Sequence, residues 1–290
     1  IITSTHDYLM FFTDMGRVYK IKAYEIPEGS RTAKGTPVIN FLNLNAGERV
    51  TAVIPIKEFS KDEELIMVTR KGTIKKTPLS EFDTNRKTGL IAITLKDDDK
   101  LISVAQSNGD ERVLVVTKEG KAIAFSENDV RSMGRSAGGV RAINLEGDDE
   151  VVSMELDINQ ERKMLVVTEK GFGKRTSLDE YRLQARGGKG VATYDKTKFS
   201  KTGYLVGATL VSDDDELMLI NSDGVIIRIK ADEVSTSGRT TQGVKIMRLD
   251  DDKQIVSFAK VVDEENAKKP EAPKKNPNIG SDGNEQMTLL

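Results

Sequence analysis

Five glycines, separated by 56, 48, 51 and 53 residues, mark five copies of one sequence pattern. Each follows an apolar run that ends in Thr or Asn, and the five are Gly16, Gly72, Gly120, Gly171 and Gly224. Nine residues beyond each glycine comes an acidic residue followed by an apolar one. Self-similarity at a period near 50 residues is typical of propellers and repeat arrays. The repeat, rather than the single residue, is therefore the unit of this sequence.

Each repeat contains the signals of four short strands. In repeat three, the β-rich runs 113–117 and 121–125 flank the turn 118–120, whose glycine suits the positive-φ position of a three-residue hairpin. A third and a fourth strand are predicted at 140–145 and 151–156. Matching pairs occur at 38–44 with 50–56, 90–95 with 101–105, and 244–249 with 255–261. Because no segment carries a long apolar stripe of helical period, the fold class is all-β.

The constant spacing of these units predicts a β-propeller of four-stranded blades, in which radial repetition protects the sheet edges. A β-sandwich would not explain turns, acids and arginines at fixed offsets. We place one domain at 1–262, with repeats near 8–56, 64–106, 112–156, 163–211 and 216–262. The stretch 263–290 is rich in Pro, Lys, Glu, Asn and Gly, which predicts a disordered tail.

An arginine recurs fifteen residues after the turn glycine in four repeats, and a glycine follows four residues later. The arginines are Arg31, Arg135, Arg186 and Arg239, and we call the segments around them the arginine loops. Repeat two is degenerate, with Asn85 four residues after the acid Glu81, Arg86 beside it, and Gly89 two residues early. A need for solubility does not by itself explain why an arginine recurs four residues before a glycine. Two interpretations stay open: a ligand contact, or a structural pairing with the acid six residues earlier.

The net charge of −2 hides an uneven distribution. Acidic runs recur between the third and fourth strands, at 97–99, 148–150 and 250–252, and they read as solvated turns without the spacing of a calcium loop. Basic residues cluster around the hairpins and arginine loops. In a propeller, equal offsets place equal charges at equal radii, so one edge becomes acidic and another becomes a basic ring. Nucleic-acid binding needs such a basic stripe rather than a positive net charge. Any single lysine has the alternative role of a solvated residue that prevents aggregation at a strand edge.

The most specific local motif is Gln184-Ala185-Arg186-Gly187-Gly188-Lys189-Gly190. Its glycines would allow backbone N–H groups to approach a phosphate, while Arg186 and Lys189 supply positive charge. The motif lacks the spacing of a P-loop or a dinucleotide fingerprint.

This motif resembles the glycine-rich box of the DNA gyrase A family, although Ala185 stands where that box usually has a basic residue. The segments 11–20 and 166–176 also look like the C-terminal domain of that family, and the resemblance covers about residues 1–262. It implies a six-bladed β-pinwheel, of which five repeats are present here, with strands exchanged between neighbouring blades. It also implies a basic rim around which DNA wraps.

On the charge pattern and this resemblance we predict sequence-independent binding of double-stranded DNA. The predicted DNA-binding residues are Arg17, Lys20, Arg31, Lys34, Lys75, Lys76, Arg86, Arg135, Lys174, Arg175, Gln184, Arg186, Gly187, Gly188, Lys189, Gly190, Arg228 and Arg239. Two alternatives remain. One is the related domain of topoisomerase IV. The other is a protein-interaction propeller, which would be expected to expose apolar or aromatic side chains instead of basic loops.

Catalysis is not expected within this chain. His6 is the single histidine and has no equivalent in the other repeats, and no tyrosine lies in a motif of a DNA-cleaving nucleophile. The resemblance implies a parent enzyme that hydrolyses ATP, a type II topoisomerase in which gyrase A and gyrase B form a heterotetramer. ATP and Mg²⁺ would act through its other domains, and no cofactor or metal is predicted here.

The absence of cysteine fits a reducing compartment. No apolar run approaches the roughly 18 to 20 residues of a membrane span, and no signal-peptide pattern is present. We expect a cytoplasmic, chromosome-associated protein. The chain begins at Ile1, already within a β-rich stretch, and we expect it to be a fragment that continues an upstream part of gyrase A.

Overall fold

The protein folds into five β-sheets, one for each sequence repeat. A computed structural model describes residues 1–30, 32–84, 86, 89–157 and 161–261, so Arg31 and the tail predicted at 263–290 lie outside the described residues. Within the described ranges, no helix has the length and hydropathy needed to cross a bilayer.

Nineteen strands are found among the described residues. In chain order they are β1 (Tyr8–Thr13), β2 (Arg17–Lys22), β3 (Val50–Ile56), β4 (Glu64–Thr69), β5 (Thr73–Pro78), β6 (Leu90–Ile91), β7 (Leu101–Ser107), β8 (Arg112–Thr117), β9 (Lys121–Ser126), β10 (Val140–Arg141), β11 (Val151–Asp157), β12 (Lys163–Thr168), β13 (Phe172–Ser177), β14 (Val191–Ala192), β15 (Leu205–Val211), β16 (Glu216–Asn221), β17 (Ile226–Lys230), β18 (Val244–Lys245) and β19 (Ile255–Lys260). Single turns of 3-10 helix lie at Ala23–Glu25, Val38–Asn40, Leu79–Phe82, Glu127–Asp129, Leu178–Glu180, Lys196–Lys198 and Ala231–Glu233, and one α-helical turn lies at Phe199–Thr202.

The sheets exchange strands between successive repeats. Their orders are β3-β1-β2-β6, β10-β5-β4-β7, β11-β8-β9-β14, β15-β12-β13-β18 and β17-β16-β19. The short third strand of each of repeats two to five thus forms the outermost strand of the preceding blade. The fourth strands β3, β7, β11, β15 and β19 contact one another in sequence, so they line the centre. The structure therefore confirms a propeller with exchanged strands.

Each hairpin turns through a glycine with positive φ, as predicted. The φ values of Gly16, Gly72, Gly120, Gly171 and Gly224 lie between 72° and 80°. We call the side of the molecule that carries these turns the hairpin-turn face. The next repeat docks on the same glycines, since Ala92, Ala142 and Thr193 each donate a backbone N–H to the glycine carbonyl of the preceding hairpin at 2.8 Å.

The third strands are shorter than the sequence predicted. The apolar run 140–145 forms a strand only at Val140–Arg141, and the run 38–44 contains the 3-10 turn Val38–Asn40 instead. In the runs 90–95 and 140–145 the residues after the strand bind the neighbouring hairpin: Ala92 donates to the carbonyl of Gly16 and Ala142 to that of Gly72. Apolar content therefore reflects packing between blades rather than strand length.

The core lies between adjacent blades. Along β4, Leu65 and Met67 pack toward blade one, and Ile66 and Val68 pack toward blade three. In blades one to four the first strands are consequently continuous apolar runs, because both faces of these blades are covered, whereas Met218 on β16 of blade five is exposed. Four such interblade layers set the blades at fixed positions and so fix where the loops between them emerge.

Candidate nucleic-acid interface

The outer edge of the protein is built from the arginine loops and the outermost strands β6, β10, β14 and β18, and we call this edge the rim. The loops approach the preceding blade very closely. A Cβ added to Gly139 would lie 2.6 Å from the carbonyl oxygen of Ile74, and one added to Gly190 would lie 2.5 Å from that of Ala122. Both glycines also have positive φ. The Arg-x-x-x-Gly spacing thus fixes each loop against its neighbour.

Three arginines of these loops make the same structural contact. The guanidinium Nη1 of Arg135 donates to the carbonyl oxygen of Ile91 at 2.9 Å, and that of Arg239 donates to Ala192 at 2.9 Å. Arg186 donates equivalently to the carbonyl of Arg141. In each case the acceptor is the second residue of the outermost strand contributed by the previous repeat. These three arginines thus hold their loops against the preceding blade, and their side chains remain partly exposed at the rim.

The expected pairing between each arginine and an acid six residues earlier takes another form. The carboxylate that lies 3.8 Å from Nε of Arg239 is Glu180, which belongs to the preceding repeat. Glu180 also accepts from the backbone N–H of Arg239 at 3.0 Å. Because blades exchange strands, the nearest acid comes from the adjacent unit rather than from the same loop.

Lys75 and Lys174, both predicted to bind DNA, lie inside the protein. Both are 0% exposed, and burial lowers the pKa of each amine to about 8. The amine of Lys75 donates to the carbonyls of Ala92, at 2.6 Å, and Arg135. These two lysines therefore hold the arginine loops from within and are corrected as DNA contacts, because no phosphate can reach them in this fold.

Lys76 and Arg175, one residue further along the same strands, are also buried. Lys76 lies 3.0 Å from Glu64 and 3.4 Å from Glu127, and Arg175 pairs with Asp213. Lys20, at the equivalent place in repeat one, is covered by Tyr8 and Phe59 and lies 3.9 Å from Asp83. These basic residues neutralise acids between blades, so the prediction that they contact DNA is corrected as well.

The segment Gln184–Gly190 lies on the rim, but its glycines serve the fold. The N–H of Gly187 donates to the carbonyl of Ala142 at 2.7 Å, and the carbonyl of Gly188 accepts from Asn144. Gln184 donates its backbone N–H to Ala124. The N–H of Gly187 thus has a protein partner instead of a phosphate. The charged groups of the segment are Arg186 and Lys189.

Lys189 is the most accessible cation of this segment, with a side chain 67% exposed. Its amine lies 2.7 Å from Glu146, and this hydrogen bond raises the pKa of Lys189 and lowers that of Glu146. Exposed ion pairs contribute little to stability. A phosphate can therefore replace Glu146 as the partner of this amine at small cost.

The other predicted residues lie at different places in the fold. Arg17 is half-buried and donates to the carbonyl of Gly89 at 2.8 Å. Lys34 and Arg86 are exposed in the loops of repeats one and two. Arg228 is exposed on β17 and pairs with Glu216. Arg31 lies outside the described residues.

Four exposed cations of the rim were missed from the sequence. Arg141 and Lys245 lie on the outermost strands β10 and β18, while Arg131 and Arg182 follow the 3-10 turns that lead into the arginine loops. Their shared position could have been found by aligning the repeats, since Arg131 and Arg182 both come two residues after the recurrent acid.

The acidic runs lie on the hairpin-turn face, directly before the central strands. Two of them contain a carboxylate that is structural, contrary to the expectation of solvated turns. Asp99 is buried and accepts from the Thr69 hydroxyl at 2.7 Å and from the Lys71 N–H at 2.9 Å. Asp149, at the equivalent position of the next repeat, accepts from the N–H of Glu119 at 2.8 Å. These carboxylates therefore brace the hairpin of their own repeat.

The family model described as DNA gyrase C-terminal domain, beta-propeller, matches residues 7–57, 63–108, 111–156, 162–212 and 215–263. The chain belongs to this family. The chain is 51% identical over 260 residues to the DNA gyrase A protein of Clostridium acetobutylicum, an alignment that covers 90% of this chain and 31% of the relative. The chain thus spans about a third of the length of such curated relatives.

Two solved structures share the architecture of this gyrase C-terminal domain. A DNA gyrase A C-terminal domain superposes with a TM-score of 0.78 at 31% identity, covering 90% of this chain and 84% of that chain. The C-terminal domain of a DNA topoisomerase IV superposes with a TM-score of 0.83 at 28% identity, covering 89% and 80% respectively. The resemblance to the gyrase A family inferred from the sequence is confirmed.

Proposed function

We propose that the rim of this gyrase C-terminal domain binds duplex DNA without reading its sequence and bends the duplex around the blades. The observation that carries this proposal is the repeated placement of Arg135, Arg186 and Arg239. Each guanidinium is fixed by a backbone carbonyl at the same point of successive blades. Repetition at constant radius suits the regular phosphate backbone of DNA rather than a single small ligand.

The guanidinium groups of the three rim arginines are held in place before DNA binds. One nitrogen of each guanidinium is held by the protein, so little side-chain freedom remains to be lost when a phosphate binds. Around these arginines lie exposed cations that can move to a phosphate, including Lys189, Arg141 and Lys245. Each phosphate neutralised releases counterions, which gives affinity without sequence readout.

Bending opposes binding, and many contacts are needed to offset it. Bending a site of 20–30 base pairs by 40–90° costs on the order of 1–6 kcal/mol. A histone octamer solves the same problem with arginines repeated along the DNA path. The exposed basic groups of the rim, distributed over successive blades, are suited to share this cost.

Within a whole enzyme, this domain would act as part of gyrase A. We propose that wrapping presents a segment of the same DNA to the cleavage gate with fixed handedness, so that ATP-dependent strand passage introduces negative supercoils. Gyrase B would be the partner protein in that enzyme. ATP and Mg²⁺ would act in the other domains, and this domain would supply only the wrapping surface.

The rim can be tested by removing its most accessible motif charges. The variant Arg186→Ala/Lys189→Ala should bind linear duplex DNA more weakly, with a circular dichroism spectrum that shows the propeller is kept. Lys189→Ala alone, which removes only an exposed ion pair with Glu146, should weaken binding in the same direction without changing thermal unfolding. The control Lys57→Ala/Lys61→Ala removes two exposed lysines from the connection between β3 and β4, on the side opposite the hairpin turns. Equal affinity of the two double variants would remove this loop from the interface. Binding of a protein ligand in place of DNA would favour the interaction propeller.

A further inference from the structure

The connection between the third and fourth strands of repeat four differs from its counterparts. It spans twelve residues, 193–204, where the connections 92–100, 142–150 and 246–254 span nine. Those three carry acidic runs, whereas this one contains Lys196, Lys198 and Lys201 with the single acid Asp195. We call residues 195–202 the lysine insert. The repeat pattern itself thus provides three internal comparisons in which the sign of the charge is reversed.

The backbone of the lysine insert is held by packing and hydrogen bonds, and its lysine side chains face solvent. The ring of Phe199 stacks on Tyr194, with centroids 5.7 Å apart and planes 2° from parallel, and also contacts Tyr204. The backbone N–H of Lys170 donates to the carbonyl of Thr202 at 2.9 Å. All three lysines of the insert are exposed. The backbone of the insert is therefore fixed by packing while its amines face solvent.

The insert joins the rim on both of its sides. Lys196 and Lys189 line one recess, where Lys196 lies 3.5 Å from Glu119 and Lys189 lies 2.7 Å from Glu146. On the other side, the amines of Lys201 and Lys245 lie 5.5 Å and 5.3 Å from the centroid of the Phe172 ring. The lysine insert therefore adjoins Lys189 of the rim at one end and Lys245 of the rim at the other.

We propose that the lysine insert is an additional binding site for the DNA backbone, where the duplex passes from the rim onto the hairpin-turn face between blades three and four. This inference rests on the proposed function. The phosphate backbone is the occupant that fits, because the insert offers three exposed amines next to Lys189 and Lys245 of the rim. The acidic runs of the other connections repel phosphate on the same face. Blade four is the one place among the described connections where that face is basic.

Charge removal at the insert should change the salt dependence of DNA binding. In the variant Lys196→Gln/Lys198→Gln/Lys201→Gln, the slope of log affinity against log salt should fall by about 2 to 3, since each phosphate contact contributes roughly 0.9. The matched control Lys57→Gln/Lys61→Gln/Lys230→Gln removes three exposed lysines that lie away from this face. The control should keep the slope of the parent protein.

Proximity can be measured separately, since the chain contains no cysteine. A photo-crosslinker on Ser200→Cys, within the insert, should attach to bound duplex DNA. The same group on Asn108→Cys, exposed in the connection between β7 and β8, should not. An unchanged slope or an absent crosslink at position 200 would overturn this inference. If Arg186→Ala/Lys189→Ala still weakened binding, the proposed function would stand; a folded parent protein that binds no duplex DNA at low salt would remove both.

Discussion

The buried amine of Lys174 donates to the carbonyl oxygen of Gly238 at 2.7 Å and also to that of Arg239, so one blade holds the arginine loop of the next repeat from inside. Lys75 makes the matching contact with Arg135. At the same strand position the other repeats have Tyr19, Ile123 and Ile227. At this position lysine therefore supports the arginine loop from inside the protein and is not part of the rim surface.

Replacing Lys174 by Met should loosen the arginine loop of repeat five. The change removes the amine that both carbonyl groups share; that of Gly238 keeps the Thr241 hydroxyl as a donor at 2.9 Å, whereas that of Arg239 loses its side-chain donor. An unsatisfied buried acceptor costs about 1–3 kcal/mol. Amide hydrogen exchange over 235–243 should become roughly tenfold faster or more, because about 1.4 kcal/mol of protection is lost. The exposed control Lys61→Met should leave this segment unchanged. Equal protection in both variants would show that the loop does not depend on Lys174.

Replacing Gly190 by Ala should destabilise the protein more than replacing Gly35 does. Both glycines have positive φ, which costs an alanine about 1–2 kcal/mol. At Gly190 the new Cβ would also lie 2.5 Å from the carbonyl of Ala122, whereas at Gly35 nothing lies within 4 Å. The difference between the free energies of unfolding of the two variants, measured with urea, gives the cost of the close contact between the loop and the preceding blade. A smaller loss at position 190 than at position 35 would contradict the described contact.

Replacing Glu155 by Gln should stabilise the protein at neutral and higher pH. Glu155 lies on the central strand β11, and burial raises its pKa from 4.5 to about 7. Between these values the folded chain holds a proton that the unfolded chain has lost, so the parent protein loses stability as pH rises from about 4.5 to about 7. The variant has an uncharged amide at this position and therefore carries no such dependence.

The gain for Glu155→Gln should be near zero at pH 4.5 and reach at most about 3 kcal/mol above pH 7, at 1.36 kcal/mol for each pKa unit. Chemical unfolding across this pH range measures it, with the exposed Glu58→Gln as control. A constant difference between the variant and the parent across the range would contradict an elevated pKa at Glu155.

Much of the fold could be predicted because the signals are local. Turn glycines such as Gly120 predict the hairpins, because a three-residue turn needs positive φ at one position. The strand exchange has no local signal: Val140 and Arg141 pair with β5 of the previous repeat, and only two residues on each side take part. Apolar runs around these short strands reflect contacts with a neighbouring hairpin.

The candidate interface was harder to predict, because the sequence does not show whether a basic residue of a strand faces solvent or another blade. Lys75 and Lys174 meet carbonyl groups supplied by repeats further along the chain. Arg186 and Lys189 lie on the rim, where their contact with DNA stays a prediction, and the adjacent Gly187 binds the protein. The lysine insert required a comparison of the third and fourth strands across repeats.

Binding of many DNA phosphates by this protein is best measured as its affinity for linear duplexes of unrelated sequence over a series of salt concentrations. The affinity should fall steeply with salt, with the same slope for every sequence, since each phosphate contact contributes roughly 0.9 to that slope. Undetectable binding at low salt by a folded sample, or affinity that depends on sequence and not on salt, would contradict it.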